Sequence, residues 1–158
     1  ISAGDVEAMA ALDDTETADL VWTALPISAS ASTWGDEIYF RTDISVGEQD
    51  AQEVVEMGAV AFWPPGQAVC LFFGPTPMST GNEIRPASAV NMLGMIEGDS
   101  TVLKAVSDGT VISVELRNPC LPMRSRIVLG RPWINLPTNR LAYCSVIYRC
   151  NRWMAIHY

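Results

Sequence analysis

A chain of 158 residues and 17.2 kDa has the length of one ordinary domain, and 49% hydrophobic against 18% charged residues is apolar enough to bury a core, which excludes general disorder. Eleven glycines and ten prolines are ordinary counts, so collagen-like and low-complexity structure are excluded. The net charge of −8 is divided: all 18 acids lie between Asp5 and Glu115, opposed there only by Arg41, Arg85 and Lys104, so residues 1–115 carry −15. Such a charge repels phosphate, and no nucleic acid is expected to bind through this portion. Residues 116–158 hold seven arginines and no acid.

The opening residues Ile1–Asp5 lack a basic region or apolar block, and no apolar run reaches the roughly eighteen residues of a membrane span. A cytoplasmic protein without a transmembrane segment is expected. Val6–Leu12 alternates as a short strand. Asp13 then offers a cap and Glu16, three residues later, a capping box for a helix over about 14–25. Ala18, Val21, Trp22 and Leu25 fall on one face of it, and Pro26 stops it. Ile27–Thr33 reads as a loop of small residues. Trp34–Phe40 reads as a strand, with Ile38 and Phe40 on one face and Glu37, Tyr39 and Arg41 on the other. Residues 42–53 are polar and acidic, as an exposed loop would be.

Gly58–Trp63 and Gln67–Phe73 form a hairpin around the tight turn Pro64-Pro65-Gly66. Val69, Leu71 and Phe73 face one way, Cys70 and Phe72 the other, and both faces are apolar, as in a strand covered on both sides. Val90–Ile96 is another such run. Residues 101–106 fit one helical turn, and Thr110–Leu116 is rich in β-formers. Short strands, one good helix and Gly/Pro punctuation predict a mainly β fold, a small closed or half-closed barrel. No phosphate-binding glycine loop, nucleophile elbow or metal-ligand spacing occurs, so neither a cofactor nor a metal is expected.

Six ordered segments, Leu12–Ala18, Ala24-Leu25-Pro26, Trp34–Phe40, Phe62–Gly66, Cys70–Pro77 and Ala89–Gly94, together resemble the prokaryotic cyclophilin-like family, short proteins of unassigned function. The resemblance covers about residues 5–116. It implies a closed antiparallel barrel of roughly eight strands with a helix closing an end. Members usually begin with another strand before the position of Val6, so either Ile1–Asp5 carries a remnant or one strand is lost; an unpaired edge invites association. True cyclophilins isomerise X-Pro bonds with an apolar proline pocket and an arginine near the amide nitrogen. Their Phe-His-Arg and Phe-x-Met-Ala-Asn runs are absent here. Phe40-Arg41 echoes the first without its histidine, which leaves Arg41 as a weak catalytic candidate or an exposed strand-end charge.

The aromatics Trp34, Tyr39, Phe62, Trp63, Phe72 and Phe73 are either barrel core or the lining of a groove for a small apolar ligand or peptide. Glu37, Tyr39, Trp63, Phe72 and Asn91 are the ligand-binding candidates, Asn91 being a turn-facing or pocket-facing amide. Cys70, with no histidine near it, reads as a buried structural thiol. The sequence therefore predicts a binding module, with a peptidyl-prolyl isomerase of degenerate site, or a structural subunit contacting another chain through a barrel edge, as alternatives. The domain is expected to span 1–117. Residues 118–158 form a basic tail, containing the strand-like Leu141–Tyr148, that fits an appended or out-of-frame extension. Folding back on the acidic domain and contact with nucleic acid or an anionic membrane are its other readings; Cys120, Cys144, Cys150 and His157 match no standard zinc spacing.

Overall fold

Strand alternation builds the framework of the chain. In the computed structural model, which describes residues 6–116 and the backbone of 152–157, the strands are β1 (Glu7–Leu12), β2 (Ile27–Ser30), β3 (Ser32–Thr33), β4 (Glu37–Arg41), β5 (Ala59–Trp63), β6 (Ala68–Phe72), β7 (Asn91–Glu97), β8 (Val111–Leu116) and β9 (Arg152–His157). One helix, α1 (Glu16–Ala24), and two 3-10 turns, Pro64–Gly66 and Ser100–Ala105, complete the described elements. All ladders are antiparallel, in one curled sheet of order β2-β8-β9-β1-β7-β5-β6-β4-β3.

The expected closed barrel is instead open. β2 and β3, at the two ends of that order, share no ladder. They are successive pieces of chain separated by Ala31, whose N–H donates to Thr110 O at 2.7 Å while its carbonyl accepts from Gly109 N–H at 2.8 Å. Ala31 thus stays bound beside β8, and Ser32–Thr33 crosses to β4, so covalent chain joins the two edges. The loop expected at Ile27–Thr33 is these two strands. Their small residues have weak β preference, but ladder partners on β8 and β4 override it.

The helix is shorter than the expected 14–25, and its cap is Thr15 rather than Asp13. Thr15 Oγ1 accepts from Ala18 N–H at 3.2 Å and donates to Met92 O at 3.2 Å, which ties the helix start to β7. Leu25, ahead of Pro26, has the extended backbone that a residue before proline favours. Ala18 and Val21 are fully buried on the inner face of the sheet, with Trp22 and Leu25 packed beside them, as the helical stripe predicted.

Two apolar clusters lie on opposite faces of the sheet. Ile38, Phe40, Phe62, Val69 and Leu71 join the inner cluster. Ala59, Ala61, Cys70 and Phe72 form the outer one, covered by Val55, Ile84 and Val90 from the loops flanking β5 and β7. The loop expected at 42–53 is held in place by Asn91, 1% exposed at the start of β7. Its Nδ2 donates to Thr17 Oγ1 at 3.1 Å and to Gly47 O at 2.8 Å, and its Oδ1 accepts from Gln49 N–H at 2.8 Å.

β9 lies between β1 and β8, with His157 opposite Glu7 and Ile156 opposite Val114. Of the expected tail, residues 118–151 and 158 lie outside the described residues, including Leu141–Tyr148 and all three of its cysteines, as do Ile1–Asp5. Among the described residues no helix is long and apolar enough to cross a membrane.

Asn91→Ala removes the bonds to Thr17, Gly47 and Gln49 from a buried position and should lower unfolding free energy by about 1–3 kcal/mol in urea titrations. Deleting residues 118–158 removes the strand between β1 and β8. At roughly 2–4 °C per kcal/mol for a chain of this size, the thermal midpoint should fall by about 10 °C or more, whereas an unchanged midpoint would show β9 to be dispensable.

Candidate functional site

The alternation of β4 sends Ile38 and Phe40 inward and puts Glu37 and Tyr39 on the outer face. Tyr39 stands opposite Cys70 of β6. Trp63 ends β5 on the same face, and its Nε1–H donates to Ser88 Oγ at 2.7 Å. That bond ties the indole to the segment 86–90. Gly66 makes room for the ring, because any side chain there would run into it. Trp34 enters from the β3–β4 turn, where its N–H donates to Glu37 O at 2.9 Å and Gly35 adopts φ 65°, a left-handed conformation that favours glycine. These groups, with Pro86, Ala87 and Val90, line a cavity of about 240 Å³.

Glu37 gives the cavity its chemistry. It is 5% exposed, and its Oε2 is buried without a hydrogen-bond partner among the described residues. Burial pushes its pKa from 4.5 to about 7, and the neighbouring Cys70 thiol partly offsets that rise. Burial, and then the Glu37 carboxylate, push the thiol well above its ordinary range. At neutral pH the site therefore exchanges between a neutral carboxylic acid and a buried carboxylate, beside a thiol that stays protonated.

Of the sequence-predicted ligand residues, the structure brings Glu37, Tyr39 and Trp63 together in this cavity. Phe72 is fully buried in the outer cluster, and the Asn91 amide is engaged by Thr17, Gly47 and Gln49. Arg41 is exposed and lines a different, more polar cavity with Pro26, Thr42 and Asp43. Trp34, weighed in the sequence only as core or groove lining, joins Glu37, Tyr39 and Trp63, as do Cys70, Pro86, Ala87 and Val90, which were not among the predicted ligand residues. The facing of Cys70 was legible in the alternation of its strand; the approach of 86–90 to β5 carries no local signal. No group of three His, Cys, Asp or Glu able to hold a metal occurs among the described residues.

Residues 1–115 match the family described as Cyclophilin-like. The chain belongs to the cyclophilin-like family. A hypothetical protein of Archaeoglobus fulgidus, solved in solution, is 40% identical to this cyclophilin-like chain, over 72% of it and 96% of the archaeal protein, with a TM-score of 0.56. No curated protein matches it.

In this cyclophilin-like chain the folded pKa of Glu37 lies above its ordinary value, so between pH 4.5 and about 7 the folded state holds a proton that the unfolded state has lost. The Glu37 contribution is therefore complete below pH 4.5 and is lost as pH rises towards 7, a penalty of about 3 kcal/mol. Glu37→Gln should flatten the fall in stability over this window. Urea midpoints across it check the expectation, and an unchanged slope would refute it.

Proposed function

We propose that this cyclophilin-like chain is a binding module that holds a small apolar ligand, or an apolar group of a peptide, in the cavity between Trp34, Tyr39 and Trp63. The carrying observation is that these three rings stay partly exposed around one concavity while Phe40, Phe62 and Phe72 are buried. Folding alone gains more by covering such rings, at about 25 cal/mol per Å² of apolar surface. Pro86 and Val90 complete an apolar wall, and Glu37 supplies one polar anchor, the composition of a small-molecule site.

Isomerase chemistry asks for a guanidinium beside the apolar pocket that receives the proline ring. Arg41 lines the other cavity, so the geometry favours binding over prolyl isomerisation. Titrating the protein with small neutral apolar probes such as cyclohexanol or indole should shift the Trp63 indole N–H resonance. Trp63→Ala should weaken binding by about tenfold or more, the loss of roughly 1.4 kcal/mol or more of aromatic contact. In a protease-coupled proline-peptide assay, Arg41→Ala should leave any turnover unchanged. Turnover that depends on Arg41 would overturn the binding reading in favour of the isomerase.

A further inference from the structure

We infer that the ligand of the Trp34–Tyr39–Trp63 cavity carries an organic ammonium head, a methylated amine, for which Glu37 is the counter-ion. This rests on the cavity being a ligand site and names the class of ligand. Three electron-rich rings around one concavity are what a cation without N–H groups prefers: each ring face offers negative potential, and the methyl groups fill apolar space. The carboxyl among them has an oxygen that no group of the described protein satisfies, although its residue is 5% exposed. A buried acceptor left alone is costly, and a cation in the cavity removes that cost.

The rest of the lining narrows the class. Pro86, Ala87 and Val90 bring no side-chain acceptor, so beyond Glu37 and Tyr39 the three N–H bonds of a primary ammonium would find few partners, while a fully methylated head needs none. An anionic ligand is disfavoured. Among the described residues no basic side chain lines the cavity, and the Trp63 indole N–H is already donated to Ser88. The nearest arginine in sequence, Arg85, turns its guanidinium to Glu83 at 3.1 Å and to Glu53 at 3.4 Å. Lys104 is held by Asp36 at 2.9 Å, so acids far outnumber free cations on this domain, and its field draws positive ligands.

Occupation by the cation ionises Glu37, whose proton passes to solvent; no bond to the ligand forms or breaks. Among the described residues the other titratable groups lining the cavity are Tyr39 on the same strand and the Cys70 thiol from β6, while β5 and segment 86–90 contribute none. With Cys70 held protonated, affinity should rise with pH to about 7 and level off above it.

Choline and 3,3-dimethylbutan-1-ol, its uncharged carbon counterpart, separate the possibilities when titrated calorimetrically into the full-length chain at about pH 8. Choline should bind at least about tenfold more tightly. Glu37→Gln should remove most of that preference while keeping the alcohol bound, and Trp63→Ala should weaken both. Equal or tighter binding of the alcohol would overturn the ammonium assignment and leave the apolar binding site standing. Binding of neither by a folded wild type would remove both. A Glu37→Gln protein that keeps the preference would take the counter-ion role away from Glu37.

Discussion

The structure depends on the two-sided apolarity of β5 and β6. Their alternate residues all avoid water: Phe62, Val69 and Leu71 on the inner face, Ala59, Ala61, Cys70 and Phe72 on the outer. A sheet with two such faces needs two covers. The curl of the sheet and α1 supply the inner one. The outer one comes from loop residues Val55, Ile84 and Val90, which belong to no regular element. The loops beside β5 and β7 are therefore part of the core.

The cavity is a result of that covering. Cys70 and Phe72 are sealed, but towards the β3–β4 turn the cover leaves Trp34, Tyr39 and Trp63 partly bare and drops segment 86–90 alongside them. Glu37 sits where the strand alternation of β4 calls for an outer-face residue, opposite Phe72. An apolar residue there would pack at no electrostatic cost. A carboxyl in its place sacrifices stability at neutral pH, and such a sacrifice is characteristic of a site that acts on something other than its own fold.

Much of this was legible in the residues because strand alternation is a local signal. The faces of β4 and β6, the Pro64–Gly66 turn and the stripe of α1 all follow from spacings within a few positions. The Ser/Ala-rich β2 was not legible, because its strand character comes from its partner β8, more than 70 residues away. Ladder formation, not propensity, decides such segments. Within the site, Glu37 and Tyr39 share a face by parity alone, and Trp63 was found as an aromatic beside the rigid Pro64–Gly66 turn. Phe72 has the same parity and is buried, since depth under a covering loop does not register in alternation. Asn91 illustrates the same gap: its amide latches α1 to the loop after β4, an arrangement visible only once three distant segments meet.

The position of β9 has a kinetic corollary. Glu7 is paired with His157, so the earliest described strand borders the latest, and β1 and β8 meet only through it. Contacts of that sequence separation require closing a very long loop before any hydrogen bond repays the lost chain entropy. The hairpin of β5 and β6 is local and can nucleate early, whereas the β8–β9–β1 side is a late event of folding. During synthesis β1 emerges well before β9, and the edge that β9 covers stays bare in between, an interval in which a chaperone or a neighbouring nascent chain competes for it.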